Sequence, residues 1–261
     1  MTQVGAPPGI GPLLREWRRR RRLSQLDLAL EAGVSARHLS FVETGRSRPS
    51  PQMVLHLAEA LEVPLRERNR MLLAAGYAPI YGQRPLDAPE LEPVRRALDL
   101  VLGGHDPYPA FVVDRRWDIV ASNRSAGLLL EGVAPELLGP PPNAMRVALH
   151  PDGVAPRIAN LGEWRAHLLE RLGRQVVLSG DEDLAALFEE VSGYPGPPAE
   201  EPTHPGDIVV SLRLRAGDRE LAFFSTVAVF GTAVDITVSE LAIESFFPAD
   251  QQTADFLLRN S

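Results

Sequence analysis

The side chains that most often perform catalysis are sparse in this 261-residue sequence or lack the required spacing. No cysteine is present, which excludes disulfides, thiolate catalysis and zinc sites that use sulfur. The closest histidine–aspartate pairs, His150 with Asp152 and His204 with Asp207, lie in proline- and glycine-containing turns. Nucleophile-elbow, P-loop and dinucleotide-binding motifs are missing as well. We therefore expect a protein that is not an enzyme and needs no catalytic cofactor or metal.

Positive charge is concentrated at the start of the chain, and every basic residue is arginine. Residues 1–82 contain 12 arginines and 7 acidic residues, whereas the remainder contains 15 arginines and 27 acidic residues. A basic segment on a chain of net charge −7 indicates a polyanionic partner for that segment. The alternative is that the arginines only reflect a general compositional bias.

Helix signals in the basic segment predict how its arginines are positioned. Five short helices are expected over residues 13–76, with Ser24 and Ser35 as N-caps of the second and third. Asp27 stands where it completes a capping box with Ser24, and Gly33 supplies a left-handed turn between the two helices. Ala29 is small enough for the helices to cross closely. This spacing predicts a helix-turn-helix, whose second helix enters the major groove of DNA.

The segment from Ser24 to Ser50 resembles the XRE or phage-repressor family of DNA-binding domains. The resemblance implies an ion pair between Arg18 and Glu43 and leaves two alternatives for Phe41, base contact or a place in the core. The run Arg19 to Arg22 fits either DNA backbone contacts or a solvated helix end. The DNA-binding residues that we predict are the phosphate-contacting Gln25, Arg46 and Arg48 and, on the third helix, Ser35, Ala36, Arg37, Ser40, Phe41 and Thr44.

The remainder of the chain predicts a second domain that contains a sheet. Two strands, Pro109–Asp114 and Trp117–Asn123, precede mainly helical residues 124–192, and a three-stranded meander follows at 210–215, 221–230 and 234–239. This order predicts a PAS-like fold. We therefore expect an α+β protein: an all-α five-helix helix-turn-helix domain at 1–78, a linker at 79–92, and a PAS-like domain with an antiparallel sheet at 93–261.

The complete chain resembles the MmyB-like transcription regulators. The resemblance rests on SARHLSFVETGRSRPS, LLAAGYAP, FVVDRRWDIVASNRSA and FSTVAVFGTAVDITVSELAIESFFPAD. It implies a small apolar ligand, with a fatty acid as the effector, between the sheet and its covering helices. The alternative for these residues is an ordinary filled core. The ligand-binding residues that we predict are Phe111, Val113, Ile119, Asn123, Leu128, Arg146, Trp164, Leu168, Phe223, Val227 and Val229.

A fatty-acid carboxylate needs a donor or a positive charge at the mouth of the pocket. Arg146, Arg124, Asn123 and His150 are the candidates, although Asn123 is equally suited to capping the helix that follows it.

The expected partners are double-stranded DNA, a second copy of the chain and the small apolar ligand, with no membrane. No stretch of 18 apolar residues occurs, and the first dozen residues lack a signal-peptide pattern, so we expect a cytoplasmic protein. A homodimer is expected because helix-turn-helix domains usually read two half-sites. The alternative keeps the DNA-binding domain but makes the second domain a ligand-free dimerisation or protein-docking module.

Overall fold

The computed structural model of the protein describes residues 9–198 and 209–260. The chain divides into two compact units. The first contains the chain up to Arg84 together with Ala233–Ile236, and the second contains Pro85–Thr232 and the chain from Thr237 onward. The predicted pair His204 and Asp207 lies outside the described residues.

The first unit is the predicted bundle of five short helices. Ser24 and Asp27 form a complete capping box, with distances of 3.1 and 2.8 Å between the backbone nitrogens and the side-chain oxygens. Leu14, Trp17 and Leu39 are at most 2% exposed and belong to one apolar cluster. The helices are α1 Ile10–Arg20, α2 Gln25–Glu31, α3 Ala36–Glu43, α4 Pro51–Ala60 and α5 Leu65–Ala74.

The first residues of the predicted linker are bound to α5. The Asn69 side-chain oxygen accepts hydrogen bonds from the backbone N–H groups of Ile80 and Tyr81 at 3.0 and 3.1 Å, and its amide donates to the Tyr81 carbonyl at 2.8 Å. Arg84 pairs with Asp235 at 2.8 Å, still within the first unit. The boundary between the units, after Arg84, therefore falls inside the predicted linker.

The second unit is an α+β domain built on one antiparallel sheet of five strands. The strands are β1 Ala110–Val113, β2 Ile119–Ser122, β3 Leu212–Ala216, β4 Arg219–Val229 and β5 Ala242–Pro248. Their order in the sheet is β2-β1-β5-β4-β3. The helices are α6 Glu92–His105, α7 Gly127–Leu130, α8 Ala144–Leu149, α9 Leu161–Ser179, α10 Glu182–Ser192, α11 Ile236–Ser239 and α12 Gln251–Arg259.

Both faces of the sheet are covered by helices. Ala110 and Val112 of β1 pack in a small cluster with Leu98 and Leu102 of α6. The intervening Phe111, together with Val113, contacts the main apolar cluster of the unit, which contains side chains of α7 to α10. Successive side chains of a strand point to opposite faces of the sheet, so the two clusters lie on opposite faces.

The last strand differs from the one predicted at residues 234–239. Asp235 belongs to the first unit, Ile236–Ser239 is the short helix α11, and the strand is Ala242–Pro248. This strand lies between β1 and β4 in the centre of the sheet. Because both of its faces are buried, it lacks the alternation of apolar and polar residues that predicts the strand at residues 210–215.

Candidate DNA-reading helix and ligand cavity

The backbone around α3 fixes where this helix begins and how it faces. Gly33 adopts φ +60°, the left-handed conformation that the turn requires. The Ser35 hydroxyl oxygen then accepts a hydrogen bond from the His38 backbone N–H at 3.1 Å. Leu39 and Val42 are completely buried, so this side of α3 faces the core and the opposite side faces outward.

The outward side of α3 contains the predicted base-reading residues. Arg37 and Thr44 are exposed, and Ser40 and Phe41 are partly exposed. The Arg37 guanidinium lies over the Phe41 ring at 5.4 Å from its centroid. Phe41 is not a member of the apolar cluster of the unit, whereas Ala36 packs against that cluster. The structure therefore places Phe41 on the surface beside Arg37 and not in the core.

The Arg18–Glu43 ion pair fastens the end of α3 to the bundle. Arg18 donates from Nε and Nη2 to the two carboxylate oxygens of Glu43, at 2.7 and 3.1 Å, and Glu43 is 2% exposed. Burial by itself raises the pKa of the Glu43 carboxyl, but hydrogen bonds from Arg18 and Gln25 outweigh burial and hold this pKa below its usual value. Glu43 is therefore held as a carboxylate.

Gln25, predicted to contact a DNA phosphate, also binds this carboxylate. Its side-chain nitrogen donates to Glu43 at 2.8 Å, which joins the first turn of α2 to the last turn of α3. The amide has a second N–H, so the hydrogen bond to Glu43 leaves a donor for a phosphate.

The two arginines after α3 differ in their surroundings. Arg46 is exposed, and its side chain forms no hydrogen bond with any residue in the described part of the chain. Arg48 instead donates from Nε and Nη2 to the Ala75 carbonyl at 3.1 and 3.0 Å and lies over the Tyr77 ring. Arg48 therefore stabilises the end of α5, and its predicted phosphate contact depends on the remaining nitrogen.

Two members of the run from Arg19 to Arg22 have partners inside the bundle. Arg21 donates to the carbonyls of Leu61 and Glu62 at 2.9 and 3.0 Å, and Arg20 pairs with Glu16. Arg19 and Arg22 are exposed. Of the four, these two are the ones whose surroundings suit contact with a DNA backbone.

A cavity of about 140 Å³ lies in the second unit, between the sheet and its covering helices. Four predicted residues line it: Phe111, Ile119, Trp164 and Leu168. The remaining lining residues are predominantly apolar and come from the strands, α7, α8 and the segments beside them: Trp117, Ser122, Ala126, Leu129, Leu130, Pro142, Ala144, Met145, Val147, Ala148, Val154, Ile158, Leu212, Glu244 and Phe246.

Five other apolar residues predicted for the pocket do not line it. Val113, Leu128 and Phe223 pack in or against the main cluster. Val227 and Val229 are 47% and 66% exposed. Val227 lies opposite Glu244 and therefore points to the same sheet face as this lining residue.

The polar residues predicted to receive a ligand are used elsewhere. The Asn123 side chain accepts from the backbone N–H groups of Ala110 and Ala126 and donates to the carbonyls of Leu102 and Tyr108. Its hydrogen-bonding capacity is thereby satisfied within the fold. Asn123 therefore has the alternative role, that of the N-cap of the helical turn that follows it.

Arg146 is likewise paired, through two hydrogen bonds to Glu190 at 2.8 and 2.7 Å. Tyr194 donates to the same carboxylate at 2.5 Å, and burial together with this contact raises the pKa of Tyr194 to about 12. The His150 ring packs edge-on against Tyr194. Neither Arg146 nor His150, nor Arg124, lines the cavity.

The charged residue that lines the cavity, Glu244, is not among the predicted ligand-binding residues. Glu244 of β5 is 3% exposed, and both of its oxygens are 3.0 Å from Nη1 of Arg171. The Arg171 guanidinium lies over the Trp117 ring at 4.5 Å, and the Trp117 indole N–H donates to Gln175 at 2.7 Å. Glu244 and Arg171 are 73 positions apart, so no local pattern connects them.

Neither a metal cluster nor a membrane span accompanies these sites. Within residues 9–198 and 209–260, no group of three or more histidine, cysteine or acidic residues is arranged to hold a metal ion. In the same residues, no helix has the length and apolar character needed to cross a bilayer.

Comparison with known families assigns both units. Residues 94–259 match the MmyB-like transcription regulator ligand binding domain, and residues 14–68 match a helix-turn-helix family. An uncharacterized HTH-type transcriptional regulator of Bacillus subtilis, RghRB, is 35% identical over 81 residues. That match covers 31% of this chain and 56% of the relative, so the chain spans little more than half of the curated relative. The chain belongs to the MmyB-like transcription regulators.

Proposed function

We propose that this regulator binds DNA as a homodimer through α3 of each copy, and that a small apolar ligand in the cavity changes its affinity for DNA. The observation that carries the DNA proposal is the exposed pair of Arg37 and Phe41 on a helix whose opposite side is buried. Arg37 suits a guanine edge, and Phe41 suits a thymine methyl group. Arg46 adds a positive charge for a phosphate.

Base reading and phosphate contact are separated by two substitutions. Arg37→Ala should cost about 1–3 kcal/mol on a sequence selected from a random DNA pool and have little effect on random DNA. Arg46→Ala should weaken binding to both DNAs and lower the salt slope by about one. Arg174→Ala, at an exposed arginine of the second unit, is the matched control for loss of charge. Equal losses on both DNAs for Arg37→Ala would contradict base reading.

We propose a homodimer because helix-turn-helix proteins usually read two half-sites, whose centres lie about 34 Å apart along the DNA. The selected sequence should contain two half-sites, and sedimentation of the complex should give two chains per site. A complex with one chain on a site without internal symmetry would contradict the homodimer.

A fatty acid is the effector that we propose for the cavity, because of the family and the apolar lining. The cavity is close in size to an engineered cavity of about 150 Å³ that binds benzene. It therefore suits a short alkyl segment as it stands, and longer chains require lining side chains to move. Mass spectrometry of the purified protein, native and then denatured, should release an alkyl-chain molecule.

Shifts in the melting temperature of the protein on addition of fatty acids of increasing length test the same site. Ala144→Leu, in the cavity wall, should reduce the shift, whereas Ala185→Leu, on α10 away from the cavity, should not. No released molecule and no shift with any acid would contradict the fatty-acid effector. Equal DNA affinity with and without a bound ligand would contradict the coupling between ligand and DNA.

A further inference from the structure

The only charged side chain among the described residues that line the cavity is negative. Glu244 is the acidic residue of the lining, and the lining residues include no arginine and no histidine. The positive charge that compensates Glu244 is on Arg171, which is engaged with the carboxylate and is not a lining residue. An ionised ligand head inside the cavity would therefore find no free positive group in the wall and would compete with Glu244 for Arg171.

The pairing of Glu244 leaves room for another donor. A carboxylate has about four acceptor positions, and a single nitrogen of Arg171 supplies the hydrogen bonds to both oxygens here. The pair with Arg171 does not cover all of the acceptor positions of Glu244. A hydroxyl or amide N–H at the end of an alkyl chain is the group that these positions would accept.

We infer that Glu244 selects ligands by their head group: the cavity prefers an uncharged alkyl ligand that donates a hydrogen bond, such as a long-chain alcohol or a protonated acid, over an ionised fatty acid. This inference rests on the proposed ligand site and narrows its chemistry. Glu244 acts as the specificity-determining residue, and Arg171, stacked on Trp117, fixes the position of its carboxylate.

Three ligands of equal chain length separate the contributions of charge and donation. Octan-1-ol donates and is neutral, methyl octanoate accepts only, and octanoate at pH 8 is ionised. Two of the three tryptophans of the protein, Trp117 and Trp164, line the cavity, so binding can be followed by tryptophan fluorescence and checked by calorimetry. We expect octan-1-ol to bind the full-length protein about tenfold more tightly than either of the others, since hydrogen bonds to charged groups are strong.

Substitution at Glu244 tests whether that side chain sets the order. Glu244→Gln should remove most of the preference for octan-1-ol over octanoate, whereas Glu220→Gln, at an exposed position of β4, should leave the order unchanged. Octanoate binding as tightly as octan-1-ol to the unsubstituted protein would overturn the inference, even if Glu244→Gln fails to fold, while leaving the proposed ligand site intact. Failure of all three ligands to bind would overturn the proposed site and this inference with it.

Discussion

Among the described residues, each unit buries an arginine–glutamate pair, and the two pairs differ in how fully the carboxylate is used. Glu43 accepts hydrogen bonds from Arg18 and from Gln25. Glu244 accepts from a single nitrogen of Arg171 and borders a cavity. The side chains of both glutamates are at most 4% exposed, so burial does not distinguish them.

The difference shows what a buried ion pair contributes in each place. Such a pair seldom adds net stability over an apolar replacement, because desolvation offsets the attraction. The Glu43 pair connects three helices, and its value lies in fixing α3 relative to α1 and α2. The Glu244 pair leaves acceptor capacity beside open volume, so its value lies in what it can bind.

The largest effect should follow from breaking the Arg18–Glu43 pair, whose carboxylate accepts hydrogen bonds from two residues. Glu43→Gln leaves the Arg18 guanidinium largely buried without its counter-ion, which should destabilise the first unit by about 3–5 kcal/mol. Hydrogen exchange of peptides from α1 and α3, read by mass spectrometry, measures this locally. Glu59→Gln, at an exposed position of α4, is the control. Unchanged protection of α3 would mean that the pair does not hold the helix.

A smaller loss is expected from the pair beside the cavity. Glu244→Gln also removes the counter-ion of an arginine, but among the described residues it disturbs no third side chain comparable to Gln25, and Arg171 keeps its contact with the Trp117 ring. We expect the second unit to lose about 1–3 kcal/mol, the range for one imperfectly satisfied buried group. Exchange of peptides from β5 and α9 reports this loss. If it equals or exceeds the loss from Glu43→Gln, the proposed contrast between the two pairs is wrong.

Acid should weaken the Arg18–Glu43 pair in the unsubstituted protein. The pKa of Glu43 is lowered in the fold, so its stabilisation is complete above the unfolded value of 4.5 and is lost as the pH falls through the folded pKa. Protection of α3 should therefore decrease as the pH is lowered below about 4.5. Glu43→Gln should show a weaker pH dependence over the same interval, and an identical dependence would assign the acid sensitivity to other groups.

Local signals made the first unit predictable. Ser24, Gly33 and Ser35 each set the backbone of their own neighbourhood, so the ends of α2 and α3 can be read from a few residues. The Arg18–Glu43 pair was also expected, but from the resemblance to known repressors and not from any local rule. The family resemblance therefore predicted a contact between two residues that are 25 positions apart in the sequence.

The second unit was predictable in its order of elements and much less so in its site. Alternation identifies strands with one solvated face, and it failed for the central β5, where Ile243 and Glu244 are both buried on opposite faces. Missing this strand meant missing Glu244. Val227 points to the same sheet face as Glu244, but a strand pattern does not show which positions along the strand are covered.

The smallest expected effect comes from a comparison of side-chain packing in the cores of the two units. Ala58→Leu adds three carbons to the core of the first unit, where Ala58 is completely buried, and overpacking of this kind costs about 1–3 kcal/mol. Ala144 is 9% exposed and lines the cavity, so leucine there has volume to occupy. We expect Ala144→Leu to change stability by less than about 1 kcal/mol, because new apolar contacts offset the local adjustment. Exchange protection of α4 and α8 measures both changes, and a loss at Ala144 as large as that at Ala58 would mean that the cavity cannot take up an alkyl group.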